Sequence, residues 1–557
     1  MGQEKNIESI RALEKQIRDG NGDIIKLKRA RNSLLNISLC TPPEILGYIF
    51  AWTLARDEEY SVHSDAHFSG LDKGSYNFIL VCHHWFKVAS STPQLWSFWG
   101  NSLRDWKRLY RYAGAVPTDL VMDMFATDLD EPSFDPVLCV LINRAAQDKI
   151  RQIHLRDDDT LRVGVILSLL TPSKEETSEK CIESIALSVG AIPEFSDFFA
   201  RSHLPKLQHL NLFGTLPTSV WDNLTPKITR LTVLSLWFTD ESLPPTAPQL
   251  LSILSSNPNL RELDLADQAL PKGADRSGIQ VSLPQLKTIN LTGGFRRVFG
   301  LLNQLQLPAE LDCMDLNTTK SRPTTDEILR TVGPHLQDRF RRDTRFQNKL
   351  EVSISFERRI QIVVCRTDNH LAMGSEPKPG QPYLRFLTSR GSLLPSDPVM
   401  KNLALDLMAF APREHVAYLR THKCFELPEE AFVARPNIET LSLQDITLSE
   451  GFLQPNPDGP YANTKLLPSL KLLRLTKVAT KEAGWKPLVS YLAHQTSGCQ
   501  VVSLELSLAS PALPWEFIKE AKDLVEEFRY RGGHVHGDLS SRESYVSGWG
   551  AGLVDGL

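Results

Sequence analysis

This sequence contains little cysteine, no long apolar run and no strong excess of either charge. Its eight cysteines are scattered over 557 residues and form no CxxC pair, which excludes the common zinc and redox motifs. We therefore expect free thiols in a reducing compartment, with no metal and no cofactor. The sequence contains no run of about 18 apolar residues, the length needed to span a membrane. Its polar N-terminus does not resemble a secretory signal. These absences predict a cytoplasmic or nuclear protein with no membrane partner.

The charges are nearly balanced, with 62 lysine and arginine residues against 66 aspartate and glutamate residues and a formal net charge of −4. Nucleic-acid binding depends on a strong excess of positive charge, so no nucleic-acid partner is expected. The sequence also contains no P-loop, GxSxG, HExxH or kinase signature. We expect a protein that is not an enzyme; an active site on an unrelated α/β fold is the third-ranked alternative.

The stretch LCTPPEILGYIFAWTL is the first that predicts a defined structure. Thr41 can cap a helix whose first residue is Pro42, and Glu44 stands three residues after the cap. That spacing is a capping box with proline at the position where its missing N–H costs least. The helix carries an apolar stripe at helical spacing, formed by Ile45, Leu46, Ile49, Phe50 and Leu54.

A second helix is predicted in YNFILVCHHWFKVASSTPQLW, and it is apolar on two faces. One face contains Ile79, Cys82, Phe86 and Ala89, and the other contains Val81, Trp85 and Val88. A module of about 50 residues is too small to cover both faces. A partner protein or a neighbouring domain is therefore expected to cover one of them. Thr92 and Pro93 then repeat the cap-plus-proline signal before Leu95 and Trp96.

Three motifs in this order, PPEIL-x-x-IF, VC-x-x-W-x-x-x-A and TP-x-LW, resemble the F-box as it occurs in large fungal F-box families. The resemblance covers residues 39–98. It departs from the family at Thr41, where leucine is usual, and in a long polar insert at 57–75. The resemblance implies a small all-α module that docks a Skp-family adaptor and, through it, a cullin–RING ubiquitin ligase. The chain would then be the substrate receptor, and the transfer chemistry would belong to its partners.

The residues that the resemblance and the apolar faces assign to the adaptor contact lie in all three motifs. Some of them must belong to the module's own core instead, and the sequence does not divide the two groups. They are Pro42, Pro43, Ile45, Leu46, Ile49, Phe50, Val81, Cys82, Trp85, Leu95 and Trp96.

From about residue 150 onward, the pattern apolar-x-x-apolar-x-apolar returns nine times. The instances are IRQIHL, IESIAL, LQHLNL, LTVLSL, LRELDL, LKTINL, IETLSL, LKLLRL and VVSLEL. In the first block their starts are 24 to 32 residues apart, whereas regular leucine-rich repeats run about 20–29 residues. The pattern predicts an α/β fold, an irregular leucine-rich-repeat solenoid or horseshoe in which each short strand buries alternate side chains.

Helices are predicted between these strands at 161–170, 249–256 and 485–494, and a last amphipathic helix in WEFIKEAKDLVEEFRYRGG. Between about 295 and 435 the pattern blurs, which predicts irregular repeats with loop insertions such as RFRRDTRFQNK. The predicted plan is a helical segment at 1–36, the F-box-like domain at 37–104, the repeats at 105–545 and a flexible glycine-rich tail at 546–557. The helical segment is read as a hairpin packed on the next domain, ahead of a self-associating coiled coil.

The x positions of the repeat strands point away from the core, so they are the candidates for contact with a target protein. Phe213 and Trp237 stand out because exposed aromatic groups tend to anchor ligands; the alternative is that the following loops cover both. The full set comprises His209, Asn211, Phe213, Val233, Ser235, Trp237, Glu262, Asp264, Thr288, Asn290, Ser442, Gln444, Arg474 and Thr476. A second reading of the whole chain is a protein-interaction scaffold with no ligase role, in which the F-box-like helices are purely structural.

Overall fold

The computed structural model divides into two compact units, residues 1–285 and 286–557. The first unit is described at residues 2–18, 26–28, 30–31, 41–54, 83–99, 106–123, 138, 141–157, 160–172, 180–189, 194–215, 219–224, 228–239, 244–272 and 279–285. The second is described at 286–318, 323–347, 349–356, 359–366, 382–389, 406, 409–422, 432–433, 435–448, 453, 458–460, 466–480, 485–495, 501–507 and 515–531.

The first unit begins with helices and continues as alternating strands and helices. Its helices are α1 (Gly2–Arg18), α2 (Pro43–Leu54), α3 (His83–Ser90), α4 (Trp106–Ala113), α5 (Arg144–Gln147), α6 (Thr160–Leu170), α7 (Glu194–Arg201), α8 (Ser219–Leu224) and α9 (Ala247–Ser255), with a 3-10 helix at Pro93–Trp96. Its strands are β1 (Phe98–Trp99), β2 (Thr118–Asp123), β3 (Ile150–Asp157), β4 (Ser184–Val189), β5 (His209–Gly214), β6 (Val233–Phe238), β7 (Glu262–Asp267) and β8 (Val281–Ser282).

Strands β1 to β7 pair in sequence order and all in parallel. The register places equivalent leucines side by side: Leu210 pairs with Leu234, which pairs with Leu263. All three are at most 1% exposed, because alternate residues of each strand point into the core. The five repeat strands predicted in this unit are confirmed.

A buried asparagine ties one repeat to the next. Asn257, 1% exposed, accepts a bond from the Leu231 amide at 2.8 Å and donates to the carbonyl oxygens of Ile228 and Ile253 at 2.9 and 2.8 Å. It follows α9, a helix that begins with a full capping box between Thr246 and Gln249. Because the side chain satisfies three backbone groups that would otherwise be buried unpaired, it fixes the turn between helix and strand.

The second unit is also mainly strands. Its helices are α10 (Phe295–Leu302), α11 (Thr325–Arg342), α12 (Lys486–Gln495) and α13 (Trp515–Leu524), with a 3-10 helix at Thr344–Gln347. Its strands are β9 (Thr288–Thr292), β10 (Leu305–Gln306), β11 (Cys313–Thr318), β12 (Leu350–Phe356), β13 (Arg359–Arg366), β14 (Tyr383–Ser389), β15 (Val416–His422), β16 (Thr440–Leu448), β17 (Leu472–Thr480), β18 (Ser503–Ser507) and β19 (Glu527–Arg531).

The middle of this unit's sheet departs from the simple repeat order. The strands lie in the order β9-β11-β14-β13-β12-β15-β16-β17-β18-β19, and only β13 runs antiparallel to its neighbours. The chain therefore passes two strand positions after β11 and fills them on its way back through β13 and β14. The prediction of further irregular repeats between 295 and 435 is wrong for β12 to β14, which form an antiparallel meander.

Two further predictions are corrected here. RFRRDTRFQNK is not a loop insertion, because α11 runs through Arg342 and a 3-10 helix follows. Asp343 is 0% exposed between them and accepts hydrogen bonds from both Arg339 and Arg345. The last predicted helix ends at Leu524, and EFRYR forms β19, which pairs in parallel with β18.

The F-box-like stretch is helical at α2, α3 and the 3-10 helix, but it ends in a strand. β1 pairs with β2 through Phe98 and Asp119, and the Asp119 amide donates to the Ser97 carbonyl at 2.7 Å. The expectation of a wholly helical module is therefore corrected at its C-terminal end. The glycine-rich tail and the polar insert lie outside the described residues.

Candidate protein-interaction surfaces

Helix α2 divides its apolar residues between two sides. Leu46 and Phe50 are buried, at 3% and 2% exposed, whereas Ile45, Tyr48 and Ile49 are 49%, 74% and 47% exposed. Residues three and four apart are neighbours on a helix surface, so these three form one continuous patch. We call Ile45, Tyr48 and Ile49 the α2 stripe.

Aromatic rings hold the other side of α2 in place. The Phe50 and Trp85 rings lie 5.0 Å apart, and Trp96 packs against Tyr112 of α4, also at 5.0 Å. The Trp96 indole N–H donates to the Ala89 carbonyl at 2.6 Å. The buried side of the module is thus a packed core in which the Trp96 indole N–H is satisfied.

The two cap-plus-proline signals are confirmed only in part, since Pro93 is the first residue of its 3-10 helix as predicted. Helix α2 begins at Pro43 rather than Pro42, although the Leu46 amide donates to the Pro42 carbonyl. Thr92 does not cap the 3-10 helix; its hydroxyl donates to the Val88 carbonyl at 2.7 Å. A Cβ on Gly47 would stand 3.0 Å from that hydroxyl oxygen. Glycine at position 47 therefore allows α2 to approach Thr92 closely.

The structure divides the eleven predicted adaptor residues by exposure. Those that face solvent are Pro42, Pro43, Ile45 and Ile49. Those that are buried are Leu46, Phe50, Leu95 and Trp96, with Trp85 half-buried. Val81 and Cys82 lie outside the described residues. Tyr48 was not among the predicted residues, although its position three residues after Ile45 places it on the same stripe.

The predicted target-binding residues of the first unit converge on one face of β5 to β7. The register forms three rows, namely His209–Val233–Glu262, Asn211–Ser235–Asp264 and Phe213–Trp237–Ala266. We call this the first open face. Side chains alternate between the two sides of each strand, so these residues share one side while the leucines between them are buried on the other.

Exposure on the first open face is uneven. Phe213 is 41% exposed and Ser235 only 8%, while Trp237 is half-buried beside Phe213. Phe213 therefore keeps a large part of its ring accessible on this face. Ser235 contributes little to any contact, whereas the exposed Glu262 and the half-buried Asp264 make the β7 end of this face acidic.

A buried histidine lies beside this face. His154 on β3 is 3% exposed, and its Nε2 lies 3.3 Å from the Ser184 hydroxyl oxygen. Burial, and secondarily the charge of His209, lowers the pKa of His154 to about 4. Burial also lowers the pKa of His209, against the opposing effect of Glu183. His154 is therefore neutral at physiological pH.

The second unit presents its own polar face, which the sequence predicted only in part. The residues predicted there are Thr288 and Asn290 on β9 and Ser442, Gln444, Arg474 and Thr476 on β16 and β17. Ser442 is 5% exposed. Asn290 pairs with Asp315, whose carboxylate forms an ion pair with Arg385 in the next position. Asp315 stands in the segment LDCMDL, which keeps the apolar-x-x-apolar-x-apolar pattern of the repeat strands. That pattern was the sequence signal that could have placed Asp315 on this face.

Arg474 is the centre of a cluster on this face. Its Nε donates to Glu505 Oε2 at 2.5 Å, and its Nη1 donates to the Tyr418 hydroxyl at 3.4 Å. Arg420 donates to the same hydroxyl at 3.3 Å, and Arg529 donates to the other Glu505 oxygen at 3.2 Å. The sequence pattern missed Tyr418 and Arg420 because Thr421 replaces the last apolar residue of their strand.

A serine, a histidine and an aspartate also meet on this unit. The Ser355 hydroxyl lies 3.2 Å from His422 Nδ1, and His422 Nε2 lies 3.6 Å from Asp445. The second distance is too long for a hydrogen bond. Ser355 is 5% exposed, so its hydroxyl is shielded from a substrate. The cluster connects strands β12, β15 and β16, and the expectation that the chain is not an enzyme stays a prediction.

Among the described residues, no group of three or more His, Cys, Asp and Glu side chains could hold a metal ion. No described helix combines the length and the apolar character needed to cross a bilayer.

Comparison with known proteins gives little to set beside this geometry. No protein-family model matches the chain, and no curated protein matches it. Among solved structures, the chain is similar to an internalin of Listeria monocytogenes at 14% sequence identity, over 68% of this chain and 91% of that chain, with a TM-score of 0.29. With so low a TM-score, the leucine-rich-repeat character of the two sheets depends on their own strand register and buried leucines.

Proposed function

We propose that this chain is the substrate-recognition subunit of a Skp–cullin–F-box ubiquitin ligase. In this proposal the α2 stripe docks a Skp-family adaptor, and the open faces of the leucine-rich-repeat strands hold a target protein. The chain itself would make and break no bond. The observation that carries the proposal is the exposure of Ile45, Tyr48 and Ile49 on a helix whose Leu46 and Phe50 are buried.

The energetics favour a partner on this stripe. An apolar side chain that moves from water into an interface contributes roughly 1.5–3 kcal/mol, and a few such residues usually dominate binding. Tyr48 suits an interface because its ring is apolar and its hydroxyl can keep a hydrogen bond. Together with the three ordered motifs that resemble an F-box, the stripe supports adaptor docking over a purely internal role for these helices.

The proposal is tested by measuring the affinity of the full chain for a purified Skp-family adaptor. Ile49→Glu places a charge in the proposed interface, and we expect at least a tenfold loss of affinity, equivalent to about 1.4 kcal/mol. Ile142→Glu is the matched control, because Ile142 is 67% exposed and lies away from α2 in the sequence. That variant should bind as the wild type does, and both should keep the wild-type circular dichroism spectrum.

The second candidate function is an interaction scaffold with no ligase role. It is favoured by the pairing of β1 with β2, which joins the F-box-like stretch to the sheet. If the wild-type chain captures no adaptor in a pull-down, this second function replaces the first.

A further inference from the structure

Gly47 lies on the buried side of α2, between the buried Leu46 and the exposed Tyr48. An ideal Cβ at this position would stand 3.0 Å from the Thr92 hydroxyl oxygen and 3.5 Å from the methyl carbon of the same side chain. Non-bonded heavy atoms in a packed interior stand about 3.5–4.0 Å apart, so the contact with the hydroxyl oxygen would be too close. Position 47 therefore has no room for a methyl group while Thr92 keeps its place.

Three hydrogen bonds hold Thr92 in that place. Its hydroxyl donates to the Val88 carbonyl at 2.7 Å, its amide donates to the Ala89 carbonyl at 3.1 Å, and its carbonyl accepts from the Leu95 amide at 3.1 Å. Pro93 follows directly, and a proline restricts the backbone of the residue before it. A methyl group at position 47 would therefore displace α2 rather than Thr92.

A displacement of α2 at Gly47 would move the α2 stripe with it. The helix has only 12 residues, about three turns, and Ile45, Tyr48 and Ile49 all lie within two residues of Gly47. Because packed interiors are dense, they transmit such a shift rather than absorb it. A partner that fits the wild-type position of α2 would have to press the helix back against Thr92.

We propose that Gly47 and Thr92 form a positioning pair, whose close contact sets the position of α2 that the adaptor recognises. The inference rests on the proposed function and deepens it, since Gly47 is buried and acts through the exposed α2 stripe. Alanine favours a helix more than glycine does. If Gly47 were only a weak point of α2, Gly47→Ala would therefore strengthen the helix and leave docking unchanged, whereas the close contact predicts weaker docking.

The test is a double-mutant cycle in the full chain, measured as affinity for a purified Skp-family adaptor. Gly47→Ala should weaken binding about fivefold or more, because an extra methyl group in a packed site has to be accommodated by strain. Adding Thr92→Ala should restore the affinity, since the new Cβ would then meet only the Cβ of residue 92, at 3.9 Å. Thr92→Ala alone should bind as the wild type does, because the Ser91 amide and hydroxyl still donate to the Val88 carbonyl at 3.2 and 3.0 Å.

Thr92→Val is the matched control for the rescue. Valine carries a methyl group where threonine carries its hydroxyl, so the close contact remains and Gly47→Ala combined with Thr92→Val should bind as weakly as Gly47→Ala. Gly294→Ala controls for an added methyl group elsewhere, because a Cβ there meets no described atom within 4 Å beyond the adjoining residues. It should bind the adaptor as the wild type does, and every variant should keep the wild-type circular dichroism spectrum.

Wild-type affinity in Gly47→Ala, no rescue by Thr92→Ala, or equal rescue by Thr92→Val would overturn the inference and leave adaptor docking itself untouched. Hydrogen exchange of residues 43–54 in the free chain repeats the cycle without adaptor. Gly47→Ala should speed this exchange, and the added Thr92→Ala should slow it again. If the wild-type chain binds no adaptor, the proposed function fails and the exchange cycle alone decides: coupled effects support the positioning pair, and additive effects refute it.

Discussion

Single residues on the open faces combine burial with polar or titratable groups, and His154 is the clearest case. Its ring is fully enclosed on β3 and lies 3.3 Å from the Ser184 hydroxyl oxygen. Burial, then the charge of the neighbouring His209, keeps the pKa of His154 near 4 in the folded chain. The ordinary value is about 6.5, so the unfolded chain binds a proton here over a range in which the folded chain does not.

This difference predicts a loss of stability on acidification. Because the unfolded state takes up the proton first, the free energy of unfolding falls as the pH drops from 6.5 towards 4, by about 2 kcal/mol between pH 7 and pH 5. Urea unfolding of the wild type and of His154→Gln at these two pH values measures it. The variant should lose about 2 kcal/mol less than the wild type over this interval, and His203→Gln, at an exposed position, controls for the loss of one histidine. An identical loss in wild type and His154→Gln would refute the assignment.

Among the elements, α2 and α3 depend on each other through one ring contact. Phe50 of α2 is 2% exposed, and its ring lies 5.0 Å from the Trp85 ring of α3 at an interplanar angle of 57°. Truncating a large aromatic side chain in a packed site costs about 3 kcal/mol. In the proposed docking, Trp85 would act by holding α2 in place, whereas Ile49 would act by direct contact.

Trp85→Ala should accordingly destabilise the module and weaken adaptor binding together. We expect hydrogen exchange of the α2 amides to become roughly 100-fold faster, the equivalent of about 3 kcal/mol. Trp85→Phe keeps a ring against Phe50 and should show a much smaller change. Wild-type exchange and wild-type adaptor affinity in Trp85→Ala would show that this contact does not support the module.

The strands that follow a strict apolar frame were predictable, because that frame is itself the packing pattern of the core. Leu210 and Leu234 illustrate it, since both the pattern and the register place them inside. The meander of β12 to β14 was not predictable, because alternating strands carry no signal for the order in which they pair. β19 was read as helix because Val525 and Phe528 also fit a helical spacing.

The division of the adaptor residues shows the same limit at the candidate site. Ile45 and Leu46 are adjacent and both apolar, yet one is 49% exposed and the other 3%. Sequence spacing places them on a helix, but only the packing of Phe50, Trp85 and Trp96 decides which side faces inward. On the open faces, Arg474 was found from its strand position. Tyr418 was missed because a buried Thr421 interrupts its frame.

At the scale of the whole molecule, the chain carries two kinds of surface on one architecture. The α2 stripe is apolar, as suits a dedicated partner, while the open faces carry charged and aromatic groups on the strands. The first open face is acidic at its β7 end, through Glu262 and Asp264, whereas the polar face of the second unit carries arginines paired with carboxylates, such as Arg474 with Glu505.

Hydrogen exchange of the full chain with and without a purified Skp-family adaptor tests the central claim most directly. The account predicts that the amides of residues 43–54 exchange more slowly in the complex, while those of β16 to β19 are unchanged. Adaptor-dependent protection that omits residues 43–54, or no protection anywhere, would contradict it.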